Sequence, residues 1–396
     1  MTHTTLWNRN FTTYWLSIGM TALADALIFV ALPFLVLELS NNPETLATAI
    51  LLGSLPRFLG PLAGLLADRL HLKLPLLITG LLRTSIFAAL GLLTLSGGLR
   101  LGFLYVAAFS NGLLTVFVFS ASNVLLPKLV PETSLARANA LLQAAVMGLP
   151  LAGYGIAGAL VASVGTAQTV LTAAPLFLAL TLAALLISFP QPKTSQDMSF
   201  LRDLTAGASI IFRDRVLRLA ELLGLFLNFS LSVLNVLVPL VMEALGRGAP
   251  GYGTFEATFS GAILVGIGLV SLIGKRINLL RQVGFGVLLL SAGFAVLSAG
   301  EFVFLLGGAV ALGLGLGMTK VASITLLQLI VPDGSRGKVL GTLVSFNAVG
   351  LSLGAAFAGQ LAERVGMGGI FLSVAGVSAL LSSLWFWRTA AYELAS

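Results

Sequence analysis

Apolar runs of roughly 20 or more residues, each long enough to cross a hydrocarbon core of about 30 Å as a helix, recur along the whole chain. Twelve can be drawn, over 11–39, 45–68, 74–96, 101–126, 137–163, 167–189, 216–243, 252–274, 281–300, 302–328, 339–362 and 367–387. Hydrophobic residues make up 57% of the 396 and charged residues 9%, a balance that gives a soluble domain too little polar surface to cover itself. The expected fold class is an all-α membrane protein. The chain opens on the polar "MTHTTLWNRN", and the run behind it is too long for a signal peptide and lacks its small-residue cleavage site, so it reads as the first span.

A net charge of +7 would suggest nucleic acid in a soluble chain. Placement argues otherwise. With the N-terminus inside, the inner loops and tails carry Arg9, Arg69, Lys73, Lys128, Arg137, Lys193, Arg202, Arg213, Arg215, Arg218, Lys275, Arg276, Arg281, Arg336, Lys338 and Arg388, and the outside only Arg100, Arg247 and Arg364. That asymmetry implies a multi-pass inner-membrane protein with both termini cytoplasmic, the bilayer and not nucleic acid being its partner. Cysteine is absent, which removes disulfides and thiolate chemistry. His3 and His71 are the histidines and H-E-x-x-H does not occur; "GLSLG" at Gly350 has the G-x-S-x-G spacing but lies inside an apolar span, where its small residues suit close helix approach, so no enzyme, metal or cofactor is expected. "GLVSLIGKR" at Gly268 imitates a phosphate loop but has five residues between its glycines and Arg276 in place of Ser or Thr.

The largest polar interruption, Pro190 to Arg218, divides six spans from six. The expected organisation is an N-terminal bundle over 1–189, a cytoplasmic linker over 190–215 and a C-terminal bundle over 216–396. Within the linker Phe200, Leu204, Ala208 and Ile211 recur at helical spacing, with Arg202 and Arg213 off that face, which predicts a helix lying on the inner leaflet. Shifted by 201 positions, "LLPKLVPETS" to "LVASVG" falls on "LLQLIVPDGS" to "LAERVG" without a gap. Pro131 meets Pro332, and Gly153, Gly158 and Gly165 meet Gly354, Gly359 and Gly366. Two six-helix halves in the same orientation point to a transporter built from parallel repeats.

"GLLADRLHLK", Gly64 to Lys73, resembles the loop signature G-x-L-A-D-R-x-G-R-K of the major facilitator superfamily. Gly64, Ala67, Asp68, Arg69 and Lys73 match, whereas His71 and Leu72 stand where the signature has Gly and Arg. Asp68 can sit against the N-terminus of a neighbouring helix, where unpaired amides favour an anion, or simply be a solvated helix-ending acid. "GLPLAGYG", Gly148 to Gly155, is similar to the G-P-x-x-G-G motif of exporter-type members at Pro150 and Gly153, and serves equally as small residues for close packing plus a kink. "LLPKLVPETSLARANAL", "VPDGSRGKV" and Arg83 resemble the subgroup containing macrolide and siderophore exporters. The resemblance implies twelve transmembrane helices in two pseudo-symmetric six-helix bundles, working as a monomer, with spans 1, 4, 7 and 10 around a central cavity. It puts Asp25 and Lys320 in that cavity and a gating role on Gly64, Asp68 and Arg69.

An ionised residue at a span centre costs about 2.5 to 3.5 kcal/mol on insertion scales. Four occur, Asp25, Arg57, Arg83 and Lys320, and they are expected to face the bundle interior, paired or wetted. Ser17, Thr21 and Asp25 step by four along span 1; Asn111, Thr115 and Ser122 share a face of span 4; Asn228, Ser232 and Asn235 share one of span 7. With Phe29, Phe119, Phe226 and Phe229 as apolar wall, these stripes describe an amphipathic chamber. Lys320 reads as a substrate or counterion contact, or as an ion pair with Asp25. An unpaired Asp25 would carry a proton; a paired one would stay ionised. Arg83 is expected to tie helices together through backbone or carboxylate. Arg57, between Pro56 and Pro61, is expected to satisfy carbonyls freed by kinks, or to gate. Glu38, Glu243 and Glu256 are placed at the outer interface, and Glu221 at the inner one.

The function expected is proton-coupled export of an amphipathic small molecule by alternating access, with Asp25 titrating. One central acid against three bases favours an alternative, an organic anion such as a siderophore or lipid phosphate moved by uniport or symport. A non-transporting sensor or scaffold is the alternative of another class.

Overall fold

Short polar residues set where the apolar runs become helices. The computed structural model describes residues 6–40, 42–60, 73–187, 200–273, 277–331 and 335–393. Asn8 accepts from the Phe11 amide and starts α1, Arg9–Leu39; Asn42, followed by Pro43 in the first turn, starts α2, Pro43–Ser54. A 3-10 segment, Leu55–Leu59, continues α2, its tighter winding coinciding with Pro56, which has no amide to donate. The first half is completed by α3, Lys73–Leu95, α4, Leu101–Leu129, α5, Leu135–Val164, and α6, Thr166–Leu186. The remainder comprises α7, Phe200–Arg213, α8, Arg215–Ala244, α9, Gly248–Ile273, α10, Leu279–Leu297, α11, Phe302–Ile330, α12, Arg336–Val365, and α13, Met367–Glu393.

Among the described residues eleven helices are long and apolar enough to cross a membrane. The second expected span appears as α2 with its 3-10 extension; the rest of it, with Gly64, Asp68 and Arg69, lies outside the described residues. Large apolar side chains such as Val106, Leu272, Val303, Leu329 and Leu380 stay exposed, as hydrocarbon solvent permits and water does not.

The chain divides into two compact units, Met1–Phe200 and Leu201–Ser396, the boundary falling inside the expected linker. Each unit pairs its helices in the same way: α1 packs on α5 and α6 as α8 packs on α12 and α13, α2 on α4 as α9 on α11, and α3 on α4 and α6 as α10 on α11 and α13. Gly165 and Gly366, matched by the 201 shift, both take positive φ, 92° and 76°, and turn the chain from one helix into the next within a single residue.

The register is not 201 everywhere. Gly153 on α5 closes on Leu23 and Ala26 of α1, and Gly354 on α12 closes on Phe229 and Ser232 of α8, so the first helices correspond at 206. The helix-capping Asn8 and Asp214 keep the same interval. Most of the change arises in the third helix of each half, α10 having 19 residues against 23 in α3.

The amphipathic α7 departs from expectation at Ile211. This side chain is 1% exposed and packs with Leu217, Leu327, Val331 and Val339 of its own unit, so the protein and not the leaflet covers that position. Phe212, one residue on, is the exposed one.

Candidate functional site

Three helices of the N-terminal unit meet at Arg83. Its guanidinium pairs with the Asp25 carboxylate, Nη2 on Oδ1 and Nη1 on Oδ2 at 3.4 Å, while Nε donates to Asn111 Oδ1 at 2.8 Å. The Phe177 ring of α6 lies 4.1 Å below the guanidinium carbon and stacks on Phe87. Arg83 is 1% exposed, but the Asp25 side chain keeps 41% of its surface open. A planar five-donor fork suits this arrangement, spreading one charge over a carboxylate, an amide oxygen and a ring. So Arg83 ties α3 to α1 through a carboxylate and to α4 through an amide oxygen, and Asp25 takes its countercharge within its own unit.

Asp25 opens into a cavity of about 280 Å³ bounded by α1, α3, α4 and α5. Its polar lining comes from Tyr14, Thr21, Thr115, Ser122, Asn139 and Gln143, its apolar lining from Ile18, Leu126, Leu142 and Val146 among others. Tyr14 donates to Ser122 Oγ at 2.6 Å, and Thr115 donates back to the Asn111 carbonyl at 2.8 Å. Thr21 Oγ1 is buried with no hydrogen-bond partner. The stripe of fours along α1 therefore reaches the cavity at Thr21 and Asp25, whereas Ser17 is buried and bonds the Tyr14 carbonyl. Tyr14, Asn139 and Gln143 were missed by the sequence reading; extending the α1 stripe back one turn beyond Ser17 finds Tyr14. From Asp25 and Arg83 at the middles of α1 and α3, the cavity extends along the first half of α1, the second half of α4 and the first half of α5.

The C-terminal unit corrects several expectations. Asn228 donates to the Gly224 carbonyl of its own helix, and its Cβ lies against Gly350, as that of Ser232 lies against Gly354. That face of α8 is a helix contact with α12 and not a chamber wall, because two glycines let the backbones approach. Asn235, half-buried, lies farther along the helix. Lys320 is exposed and makes no hydrogen bond or ion pair among the described residues. Arg57 is likewise exposed on the 3-10 segment, and among the described residues its side chain bonds no carbonyl; Pro61, the second of the flanking prolines, lies outside the described residues. Pro150 sits inside α5, and Gly153 makes the close approach to α1, a methyl there meeting Ala26 Cβ at 2.7 Å. Glu221 and Glu256, placed at the interfaces by sequence, are buried at 7% and 5% exposure, since each turns toward a helix neighbour and not the headgroups.

The comparisons agree with this architecture. The Major Facilitator Superfamily model matches residues 14–279 and again 221–395. Macrolide efflux protein A of Streptococcus pyogenes is 25% identical over 379 residues, covering 92% of each chain. The MFS-type transporter YvqJ of Bacillus subtilis is 23% identical over 395 residues, covering 95% of this chain and 93% of its own. Among solved structures, the nucleoside transporter NupG superposes with a TM-score of 0.81 at 12% identity, over 96% of this chain and 99% of its own. A bacterial homologue of the iron transporter ferroportin, inward-facing, gives 0.70 at 18% identity, over 95% and 98%. These last two speak to the fold alone. The Asp25–Arg83 cavity thus lies in a multi-pass membrane transporter of small molecules, and the chain belongs to the Major Facilitator Superfamily.

Proposed function

We propose that the chain exports an amphipathic, drug-like small molecule in exchange for protons, as a monomer, through alternating access. The observation that carries the reading is the asymmetry of the central ion pair: Arg83 is sealed among helices while Asp25 stands half open to a polar cavity. A proton arriving through that cavity joins the carboxylate and competes with Arg83 for it. Arg83 keeps Asn111 and Phe177 as partners, so what loosens is the tether between α1 and α3. A switchable contact between rigid helices is the element that a rocking mechanism needs.

Access fits export. With the basic loops in the cytoplasm, the cavity lies in the inner half of the unit, where cargo would load from inside. Its volume is at the lower edge of the range for small-molecule sites, and its mixed lining suits an amphiphile; similarity to a macrolide efflux protein over most of both chains supports the same class. Thr21, Asn111 and Thr115 belong to this pathway, and Gly64, Asp68, Arg69 and Arg57 to gating near α2. Pro150 and Gly153 shape α5 beside the cavity.

One observation favours a second reading, uniport or symport of an organic anion such as a siderophore or lipid phosphate. Since Asp25 neutralises Arg83, the uncompensated charge within spans is Lys320 with Arg57, and Lys320 is exposed without a partner among the described residues. Reconstitution into liposomes separates these readings when fluxes of cationic, neutral and anionic amphiphiles are compared with and without a pH gradient. Export in exchange for protons gives gradient-driven flux of cationic or neutral compounds. Flux indifferent to the gradient removes it, and anion flux lost in Lys320→Ala supports the second reading. No flux, with a stable partner protein instead, would indicate a sensor or scaffold.

A further inference from the structure

Glu221 is, with Glu256, one of the two carboxyls among the described residues that are buried and that the Asp25 site does not use. It lies two turns into α8, 7% exposed, between Ala220 and Leu223, which join the apolar cluster around Val216, Val283, Val287 and Trp385. Its Oε1 has no hydrogen-bond partner. Across the α8–α12 contact, Asn347 Oδ1 is also buried and unpartnered. Both side chains converge on Gly224: a methyl built there would lie 3.3 Å from Asn347 Oδ1 and 3.7 Å from Glu221 Oε2. Gly224 leaves the space between them open.

Among the described residues neither Glu221 Oε1 nor Asn347 Oδ1 has a donor, and the other oxygen of the same carboxyl, Oε2, shares the space over Gly224 with Asn347. An ionised carboxylate in that position would cost several kcal/mol without a cation or hydrogen-bond donor beside it. Among the described residues, the charged groups of the surrounding helices do not supply one. Glu256 on α9 and Glu363 and Arg364 on α12 are more than about 20 Å along the bundle at 1.5 Å per residue. Arg215 is exposed, Arg218 donates to the Phe212 carbonyl, Asp214 caps α8, Arg281 is exposed at the start of α10, and Lys320 on α11 is exposed. Arg388 on α13 lies over Trp387. Arg336 and Lys338 open α12, about two and a half to three turns before Asn347, with side chains outside the described set.

The pseudo-symmetry says what the slot takes. At the interval of 206 the residue equivalent to Glu221 is Trp15, whose Nε1 donates to the Leu141 carbonyl of α5 at 3.0 Å. In the N-terminal unit this position therefore serves as a donor toward the neighbouring helix. A glutamate can do the same only as the neutral acid, with one O–H.

We propose that Glu221 is a proton-binding site of the C-terminal unit, its carboxyl O–H donating to Asn347 across Gly224 in this conformation. The bond formed is carboxyl O–H to amide oxygen, and the proton comes from and returns to water. Because the site is in the other unit and has its own partner, it does not depend on the reading of Asp25.

Infrared spectroscopy of the purified full-length protein, titrated over neutral and alkaline pH, tests this directly. A carbonyl band of a protonated carboxyl is expected to persist at neutral pH, to be lost in Glu221→Gln, to survive in Asp25→Asn, and to be indifferent to sodium chloride. Asn347→Val, which copies the equivalent Val146, is expected to shift the band to higher wavenumber, as an acid that has lost its acceptor. A band unchanged in Glu221→Gln, no band at neutral pH, or a band removed by sodium at fixed pH would overturn the proposal, the last in favour of a metal-cation site.

Discussion

The two units pair the same helices but hold their third and fourth helices together by opposite means. In the N-terminal unit α3 meets α4 through side chains, with Arg83 reaching to Asn111 and onward to Asp25 of α1. In the C-terminal unit α10 and α11 are joined by small residues: Gly286 faces the Gly315 carbonyl and Thr319, and Gly293 faces Leu312. On its other side α11 lays Gly313 and Gly317 against the α9 backbone. Asp25 corresponds at 206 to Leu231, and α10 carries no charge after Arg281. Backbone-to-backbone contact has one arrangement and resists change; a charged fork can exchange partners when a proton arrives. On the proposed reading the switch lies at the α3–α4 contact of the N-terminal unit, and the matching α10–α11 contact of the C-terminal unit is the more rigid one.

Removing Arg83 should break that contrast most severely. Arg83→Ala deletes the ion pair, the bond to Asn111 and the ring contact, and leaves Asp25 without its countercharge. Loss of a buried partner costs about 3–5 kcal/mol. Because Asp25 is half open to the cavity, the lower end applies, and a thermal unfolding scan should show a large fall in Tm together with loss of flux. Gly286→Val attacks the frame instead. The added carbons meet the Gly315 carbonyl and Thr319, an overpacking of about 1–3 kcal/mol. Gly155→Ala, where a methyl would meet nothing within 4 Å, is the control expected to leave Tm unchanged. Apart from that control, the smallest effect is expected at the slot that Glu221 occupies in the other unit. Trp15→Phe removes one donor to the Leu141 carbonyl, about 1 kcal/mol, measurable as a small Tm shift with flux retained.

Much of the frame was legible in sequence because a bilayer makes apolar length informative. Gly165 and Gly366, matched by a simple shift, proved to be the same one-residue turn. The shift failed at the first helices because α10 is shorter than α3, a length difference that local matching near α5 and α12 cannot sense. The stripe through Thr21 and Asp25 was legible since helical spacing puts those residues on one face. Which neighbour that face meets was not. Asn228 and Ser232 form an equally regular stripe, yet Gly350 and Gly354 on another helix turn it into a packed contact. Glu221 shows the same limit: its distance from a helix end suggests an interface, while its burial depends on the rotation of α8 against α12.

The central claim is that Asp25 is the group where a proton displaces Arg83. It is tested most directly by comparing Asp25→Asn with the unaltered protein in liposomes, for gradient-driven transport and for exchange of labelled against unlabelled cargo at equal pH. Asparagine keeps the shape and a hydrogen bond for Arg83 but takes no proton. The expected result is loss of the gradient-driven component with exchange retained; gradient-driven transport undiminished in Asp25→Asn would contradict the account.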